Sequence, residues 1–415
     1  MLEKAYYHRD SCRLCGGSNL TKVLALTPTP PANAFVTEAE LSEPQPAFPL
    51  DVWLCNGCGH VQLLDVVDPR ILYAHYVYVS GTSPVFVRHF EQYAQYVRST
   101  FSPAAGSLAL DIGSNDGTLL RFFKDAGHRV LGVEPAEEIS EASRRAGIPT
   151  ITGFFSEQLA ERVVKEHGQA AVVTANNVIA HIDDLAAVMR GVAKLLAPDG
   201  VFVFEVSYLV DVLEKTLFDT IYHEHLDYHS VEPLEPFFRS CGLQLVEALR
   251  VDSHGGSLRG VVQRAGGPRK VGASVASLVA RERQMDLRNA DTFRTFGARI
   301  AKVGSELTTL LGKLKREGKR IAGFGAPAKA TTLLYHLGIT PQLVDFIVDD
   351  SPLKQGRYTP GMHIPVLPAQ ALYDRGVDYT VILAWNFAEP IMKKHSAWRD
   401  GGGRFIVPLP KLEVH

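Results

Sequence analysis

The chain has 415 residues and a formal net charge of −2, and 46% of its residues are hydrophobic. This length exceeds what one hydrophobic core usually organises, so two or three domains are expected. The small net charge and the absence of basic runs argue against a nucleic-acid-binding surface, and no apolar run is long enough to span a bilayer. The first six residues lack signal-peptide features, and five cysteines do not form an even secreted framework. These features predict a soluble protein of the reducing cytoplasm.

Four of the five cysteines form two C-x-x-C pairs, Cys12 with Cys15 and Cys55 with Cys58. Two pairs at this spacing can offer four thiolates to one tetrahedral ion, which predicts a zinc site. Because every ligand is a cysteine, no coordination position stays open for a substrate, and we expect the zinc to be structural. A redox pair and a nucleic-acid ribbon are the alternatives.

A glycine-containing loop follows the first strongly apolar strand of the central region. The strand contains Asp111, and the loop carries Gly113, Asn115 and Gly117 before a predicted helix. The dinucleotide pattern G-x-G-x-x-G is absent, because Asn115 and Thr118 stand where it needs glycine or alanine. The spacing D-x-G-x-x-x-G instead indicates an S-adenosylmethionine loop.

The next two predicted strands end in polar residues that suit a ligand. Glu134 ends the second strand roughly twenty residues past the loop, where a carboxylate can accept both hydroxyls of a ribose. Asn176 and Asn177 end the third strand, and His181 follows them. Ligands of open α/β sheets collect at these strand ends, although His181 is equally compatible with a helix start that has no chemical role. The alternation of strands and helices predicts a doubly wound sheet.

Residues 222–230 hold the densest set of proton-transferring side chains in the chain. They include three histidines, two tyrosines and two carboxylates, among them Tyr222, Glu224 and His225. Histidine titrates near neutral pH and tyrosine can donate to a developing oxyanion, so the segment suits removal of a proton next to a carbonyl. A polar cap or a metal site is the alternative. His225 and His229 have the i,i+4 spacing of helical metal ligands, but the pattern H-E-x-x-H is absent.

The last third of the chain begins with a long amphipathic helix. From Asp291 the apolar positions step by three and four, which predicts one apolar face that packs between domains. We expect Asp291 to cap the start of this helix and Gly318 its end. A second α/β unit follows, in which Gly323, Gly325 and Lys329 belong to a loop of the form G-x-G-x-x-A-K. This loop indicates either a nicotinamide site or a site for another nucleotide diphosphate, which would belong to the substrate.

Three features coincide in this chain: the four cysteines, the loop at 113–120 and the sequence at 222–225. Together with the segments at 76–83 and 323–329, they resemble the S-adenosylmethionine-dependent sugar C-methyltransferases of deoxysugar biosynthesis over essentially the whole chain. Within that family, the resemblance is greatest to the C-3'-methyltransferases that form the branch point of D-tetronitrose.

The resemblance implies an α/β fold in three parts. Residues 1–70 would form a zinc-binding domain, and residues 71–270 a Rossmann-like class I methyltransferase domain with a helical lead-in. Residues 271–415 would form a helical connector and a C-terminal Rossmann-like α/β domain that contacts the nucleotide sugar. The apolar face of the connector can be buried within one chain, so a monomer is expected.

The resemblance also implies a substrate, dTDP-3-amino-2,3,6-trideoxy-4-keto-D-glucose, and S-adenosylmethionine as the methyl donor. Chemical reasoning agrees with a 4-keto sugar. Forming a carbon-carbon bond to a methyl sulfonium requires a carbanion equivalent, and a 4-keto group makes the proton on C3 removable as an enolate.

Roles for individual residues follow from the same resemblance. His225 would remove the C3 proton, while Tyr222 or Tyr76 supports the enolate oxygen. Glu224 would orient His225 or the sugar amino group, and zinc would take no part in the chemistry. Two side chains would line the pocket: His181 and Asn177. Residues assigned to the donor are Asp111, Gly113, Asn115, Gly117, Glu134 and Asn176. Residues assigned to the sugar nucleotide, besides Asn177, are Gly323, Gly325 and Lys329.

Three other functions are compatible with parts of the sequence. The first is methyl transfer to oxygen or nitrogen of a related sugar, which needs a base but no enolate. The second is a nicotinamide-dependent oxidoreductase that uses the C-terminal loop. The third is a zinc-knuckle interaction protein with an inactive methyltransferase fold, against which the cluster around His225 argues.

Overall fold

The computed structural model describes residues 5–72, 81 and 84–415. The N-terminal part is an antiparallel β unit. Strand β1 (Tyr6–His8) pairs with β5 (Asp65–Val67), and a second sheet is built from β2 (Leu20–Thr29), β3 (Phe48–Cys55) and β4 (Val61–Leu63). The open edge of β4 is covered by the short strand Asp227–Tyr228, which comes from far along the chain. Helix α1 (Pro69–Leu72) ends this unit.

The central part is a seven-stranded sheet. Its strands are β6 (Leu108–Ile112), β7 (Arg129–Glu134), β8 (Thr150–Thr152), β9 (Ala170–Asn176), β10 (Leu196–Ser207), β12 (Leu243–Val251) and β13 (Ser257–Arg264), β11 being Asp227–Tyr228. Their order is β12-β13-β10-β9-β6-β7-β8, and only β13 runs antiparallel to both of its neighbours. Helices cover both faces, so β6 and β9 are buried as nearly continuous apolar runs, and the predicted doubly wound sheet is confirmed.

The helices of this part begin where the sequence offers caps. The side chain of Ser156 accepts a hydrogen bond from the amide of Leu159 at the start of one helix. The side chain of Asp184 does the same for the amide of Ala187 at the start of the next helix. The helices are α2 (Pro84–Phe101), α3 (Thr118–Asp125), α4 (Glu137–Arg145), α5 (Glu157–His167), α6 (Leu185–Leu195), α7 (Leu209–Glu214) and α8 (Val231–Ser240). Among the described residues, none of the helices is long and apolar enough to cross a membrane.

Two helices, α9 (Ala273–Gln284) and α10 (Ala290–Arg316), connect the central sheet to the C-terminal unit. The prediction that Asp291 caps α10 is wrong, because the side chain of Asn289 accepts the amide of Asp291 and Asp291 already lies in the first turn. Gly318 follows the helix end with φ +75°, as expected of a glycine there.

The apolar face of α10 packs between units, as predicted. Phe293, Phe296, Ile300 and Leu307 are buried in one apolar cluster that runs from the cysteine-bearing strands to the C-terminal sheet. Helix α10 also contacts strand β2 of the N-terminal unit. A single apolar core therefore joins the three parts of the chain.

The C-terminal part is a second α/β unit. Its strands are β14 (Ile321–Phe324), β15 (Phe346–Val348), β16 (Val366–Leu367), β17 (Tyr379–Ile382), β18 (Arg404–Val407) and β19 (Glu413–Val414), in the order β16-β15-β14-β17-β18-β19. All neighbours are parallel except β18 and β19. The helices are α11 (Ala328–His336), α12 (Ala371–Asp374), α13 (Ala388–Lys394) and α14 (Ser396–Asp400).

Candidate active site

Residues 218–230, named here the histidine segment, are held by all three parts of the chain. The segment starts with a short 3-10 helix, Phe218–Thr220, then turns and ends in β11, which pairs with β4 of the N-terminal unit. The amide of Leu226 donates to the carbonyl of Ala180 in the central part at 2.7 Å. The hydroxyl of Thr332 on α11 donates to the carbonyl of Ile221 at 2.7 Å. Because the segment is not a helix, His225 and His229 do not share a helical face.

His225 is a neutral imidazole with one nitrogen in place to accept a proton. Its Nδ1 lies 2.8 Å from the carbonyl oxygen of Thr220, which can only accept, so Nδ1 carries the hydrogen. Its Nε2 lies 2.9 Å from the hydroxyl of Tyr222 and therefore accepts from it. Burial lowers the pKa of His225 to about 4. The pair therefore consists of a base in its unprotonated form and a phenol that already donates to it.

This pKa gives a testable expectation for the acid side of the activity profile. A lowered folded-state pKa means that His225 stays neutral as the pH falls through about 6.5, the ordinary value for histidine. We expect kcat/KM to show no loss attributable to His225 around that pH and to decline only nearer the lowered value. A pH profile of wild-type protein checks this. A fall in kcat/KM near pH about 6.5 that is absent from His225→Asn would contradict the lowered pKa of His225.

Two of the other predicted catalytic residues lie near His225 or on the same segment. The ring of His181 meets the ring of His225 edge-on, with 4.9 Å between the centroids, and burial together with His225 lowers the pKa of His181 well below its usual range. Glu224 is bound by Asn33, whose side-chain amide donates to Oε1 at 2.8 Å, and burial raises the pKa of Glu224 to about 7. The group that orients His225 is therefore the Thr220 carbonyl, and not Glu224 as one of the sequence interpretations proposed.

Tyr76 lies outside the described residues. Gly81, from the same predicted motif, is described, and its amide donates to Oδ2 of Asp116 at 2.9 Å. A Cβ at Gly81 would lie 2.3 Å from that oxygen. Gly81 therefore lies directly on the glycine-containing loop that follows β6.

The glycines of that loop are required by close packing. Gly113 has φ +69°, its amide donates to the carbonyl of Val133, and a Cβ there would lie 2.5 Å from Cγ2 of Val178. Gly117 has φ +77°, and a Cβ there would lie 2.7 Å from Oγ of Ser143. The loop is therefore pressed between the ends of the neighbouring strands and α4, with no room for side chains at these two positions.

Acidic and amide groups surround the loop. Glu134 accepts the amides of Asn115 and Ala136, each at 2.9 Å and each on a different oxygen, which leaves further lone pairs for ribose hydroxyls. Both polar atoms of the Asn176 side chain are buried at the carboxyl end of β9, next to the buried hydroxyl of Tyr93. Asp111 instead accepts the hydroxyl of Thr174 at 2.6 Å, and burial raises its pKa to about 7.

We expect Gly113→Val to weaken binding of S-adenosylmethionine by roughly tenfold or more, because the side chain collides with Val178 and moves the loop. Gly106→Val is the matched control, since Gly106 has φ +71° but nothing within 4 Å of its Cβ position. Calorimetric titration of both variants measures the effect. Equal donor affinities in the two variants would contradict the placement of the donor on this loop.

The four cysteines form a site of the size that zinc requires. The Sγ atoms of Cys12 and Cys58 are 3.7 Å apart, those of Cys15 and Cys55 are 3.5 Å apart, and all four lie within 4.8 Å of one another. Four sulfurs at about 2.3 Å from a tetrahedral ion lie about 3.8 Å apart. In the described part of the chain, no other group of three or more potential ligands converges in this way. The arrangement is closed and structural, as predicted.

The glycines of the second glycine loop lie against neighbouring strands. A Cβ at Gly323 would lie 2.9 Å from Cγ1 of Ile347, and one at Gly325, where φ is +84°, would lie 2.6 Å from Cβ of Ala384. The amide of Ala326 donates to the carboxylate of Asp349 at 2.6 Å. The absent side chains thus make room for neighbouring strands, and a carboxylate already accepts one of the loop amides.

Lys329 points toward the histidine segment. Its Nζ donates to Oδ1 of Asn386 at 2.7 Å, lies 3.9 Å from Oδ2 of Asp219 and sits 3.7 Å from the ring centroid of Trp385. Its side chain is only 12% exposed. The sequence placed this ammonium on a helix N-terminus facing a ligand, and gave no signal for a partner 110 residues upstream.

A further charged cluster at the strand ends was also missed. Glu205 lies beside Asn176 in the sheet, and its carboxylate contacts Nε of Arg259 at 2.6 Å and Nε2 of His89 at 2.7 Å. A buried acid at the end of the apolar run in β10 is a signal that the sequence did contain.

Comparison with known proteins agrees with this geometry. Residues 12–73 match the family model of a zinc binding domain, residues 86–248 that of a methyltransferase domain, and residues 252–410 that of a C-methyltransferase C-terminal domain. The C-methyltransferase NovU of Streptomyces niveus is 35% identical over 405 residues, which cover 98% of this chain and 96% of that protein.

More distant similarities are confined to parts of the chain. A ubiquinone biosynthesis O-methyltransferase of Bordetella bronchiseptica is 28% identical over 107 residues, 25% of this chain and 44% of its own length. The solved structure of the CcbJ methyltransferase from Streptomyces caelestis is 18% identical, covers 47% of this chain and 95% of its own, and has a TM-score of 0.35.

The full-length relative, the matched domains, the donor loop and the four-cysteine site support one assignment. The chain belongs to the S-adenosylmethionine-dependent C-methyltransferase family and carries an N-terminal zinc-binding domain.

Proposed function

We propose that this enzyme methylates C3 of a dTDP-linked 3-amino-2,3,6-trideoxy-4-keto-D-glucose in the biosynthesis of D-tetronitrose. The observation that carries the proposal is the neutral His225, whose Nε2 accepts from the phenol of Tyr222 while the Thr220 carbonyl fixes the other nitrogen. The carbon next to a ketone attacks an electrophilic methyl group only after a proton has been removed from it to give an enolate. An unprotonated base beside a hydroxyl donor matches the needs of enolate formation.

In this proposal, His225 Nε2 takes the C3 proton when the substrate binds, and the electron pair of the C–H bond passes into the enolate. The hydroxyl of Tyr222 turns from Nε2 to the enolate oxygen, which frees the lone pair of the base and supplies a donor where negative charge develops. S-adenosylmethionine supplies the electrophilic methyl group for the new bond to C3 and leaves as S-adenosylhomocysteine when its methyl–sulfur bond breaks. Tyr76 is a second candidate donor to the same oxygen.

The surroundings of His225 make it a weak base in the free enzyme and a stronger base once the enolate forms beside it. Burial disfavours the imidazolium in the free enzyme, and the enolate is the negative charge that offsets this cost during the reaction. In this proposal, His181 lines the substrate pocket beside His225, whose ring it contacts edge-on. Glu224, which accepts from Asn33 through one oxygen, binds the sugar amino group through the other, and Asn177, which follows β9, also lines the pocket.

The three parts of the chain take separate roles in this proposal. Residues 1–70 hold zinc, residues 71–270 bind the donor, and residues 271–415 contact the nucleotide diphosphate through the loop that contains Gly323, Gly325 and Lys329. The contact of α11 with the histidine segment supports a nucleotide position beside the site. The burial of the α10 face within one chain supports a monomer.

A comparison of two substrates tests the proposal. We expect methyl transfer from labelled donor to the 4-keto sugar nucleotide and none to its 4-hydroxy counterpart, because only the ketone allows an enolate. Mass spectrometry of the products measures this. Equal methylation of both would favour transfer to oxygen or nitrogen, and oxidation of reduced nicotinamide would favour the oxidoreductase alternative.

A further inference from the structure

A buried charge cluster joins the C-terminal unit to the histidine segment. The indole nitrogen of Trp385 donates to Oδ2 of Asp219 at 2.6 Å, and the ammonium of Lys329 lies 3.9 Å from the same oxygen. That ammonium also donates to Asn386 and lies over the face of the Trp385 ring. The side chain of Asp219 is 0% exposed, and its Oδ1 has no hydrogen-bond partner among the described residues. Burial raises the pKa of Asp219, and Lys329, Trp385 and the backbone amides of Asp219 and Thr220 oppose that rise. Trp385 and Lys329 are therefore the side chains that stabilise this carboxylate.

Asp219 lies one residue before the group that orients the base. It is the middle residue of the 3-10 helix Phe218–Thr220, and the carbonyl of Thr220 accepts the Nδ1 hydrogen of His225 at 2.8 Å. A rotation of this short helix would move the carbonyl and release the imidazole. A buried carboxylate that loses its cation moves, becomes protonated or admits water, and a movement of Asp219 would shift Thr220 beside it.

Two further contacts anchor the same stretch to α11. Thr332 donates to the carbonyl of Ile221, just after Thr220, and the ring of His336 packs on Phe218 with 5.6 Å between centroids. Burial lowers the pKa of Lys329 to about 8, so its ammonium remains mostly protonated at neutral pH. The C-terminal unit thus contacts the 3-10 helix on both sides and binds Asp219, the one acidic side chain of that helix.

We propose that Lys329 and Trp385 are positioning residues that hold Asp219 and thereby fix the tautomer and orientation of His225. This inference rests on the proposed role of His225 as the base. It is independent of the proposed contact between Lys329 and the diphosphate, since Trp385 acts on Asp219 through its indole N–H, which a diphosphate contact does not require.

Two conservative variants with matched controls separate the roles. Trp385→Phe removes the indole N–H but keeps an aromatic ring, and Trp398→Phe is its control in the same unit, packed on Phe405 away from the segment. Lys329→Met removes the charge, and Lys315→Met is its control, since Lys315 pairs with Asp345 at 2.7 Å. Thermal unfolding and circular dichroism show which variants fold. If Lys329→Met does not fold, Trp385→Phe alone still decides the test.

The first readout is nitrogen-15 NMR of histidine-labelled full-length protein without substrate, with the His225 signals identified by their loss in His225→Asn. We expect the Nδ1–H tautomer in wild type and controls, and a tautomer mixture or exchange broadening in Trp385→Phe and Lys329→Met. Unchanged His225 signals in both variants would overturn the proposal. This readout does not require the substrate to be correct, so a wrong substrate assignment leaves it intact.

The second readout is steady-state kinetics with the 4-keto sugar nucleotide. We expect both variants to lose roughly tenfold to a hundredfold in kcat, the scale of misplaced catalytic groups, with KM for the donor unchanged. A normal kcat in both variants, with a raised KM for the sugar nucleotide only in Lys329→Met, would leave Lys329 with the diphosphate contact alone and overturn the positioning role. Absence of turnover in wild type would contradict the proposed substrate, and the NMR result would still decide the inference.

Discussion

His225→Asn is expected to lower kcat by a factor on the order of a hundred to ten thousand, the usual scale for loss of a general base. Asparagine keeps a polar side chain of similar size, so binding of the donor and of the sugar nucleotide should survive. The reason for a large effect is geometric. The Thr220 carbonyl fixes Nδ1 of His225, and its Nε2 meets the hydroxyl of Tyr222.

The matched control for this prediction is His223→Asn. His223 is equally part of the histidine segment, but its Nε2 faces the carbonyl of Phe48 at 3.1 Å, away from His225. We expect its variant to retain most of the turnover per folded molecule. Tyr222→Phe should fall between the two, because it removes one donor to the enolate oxygen. Near-normal turnover in His225→Asn would move the base to His181, Glu224 or a tyrosine.

Loss of zinc is expected to abolish both the fold of the N-terminal unit and the activity. Structural zinc sites contribute roughly 10–16 kcal/mol of apparent binding free energy in small zinc-binding peptides, which is comparable to the whole stability of a domain. Cys55→Ser removes a buried ligand at the end of β3. Strand β3 pairs with β4, and β4 pairs with β11 of the histidine segment. Loss of order in β3 should therefore also disorder the histidine segment.

Cys241→Ser is the control for the zinc prediction. Cys241 is buried but lies outside the four-cysteine cluster, so its variant should keep its metal. Metal analysis, thermal unfolding and turnover should change together in Cys55→Ser and remain near wild type in Cys241→Ser. Wild-type protein that stays folded and active after its metal has been removed would contradict a structural role for zinc.

Local patterns predicted the parts of the site that depend on nearby residues. The C-x-x-C spacing located all four cysteines, and the D-x-G-x-x-x-G spacing located a loop in which Gly113 and Gly117 have positive φ angles. Both features need only a few adjacent residues, which is why one sequence reveals them. The cap of α10 was misplaced by two residues, from Asn289 to Asp291, because both side chains are suitable caps and only the backbone decides.

Contacts between distant residues could not be predicted in the same way. Asn33 binds Glu224 across 191 positions, and Trp385 binds Asp219 across 166. No spacing rule connects such pairs. The backbone carbonyl of Thr220 was also missed as the partner of His225, since a carbonyl has no signature in the sequence. The sequence also contained no sign that Gly323 and Gly325 make room for neighbouring strands, since those neighbours lie more than twenty residues away along the chain.

The central claim is that a proton leaves C3 before a methyl group takes its place. It is tested most directly with a 4-keto sugar nucleotide deuterated at C3 and a donor that carries a carbon-13-labelled methyl group, followed by NMR of the product. The account predicts a labelled methyl carbon bonded to C3 and no deuterium at that position. A labelled methyl group on oxygen or nitrogen, with the C3 deuterium retained, would contradict it.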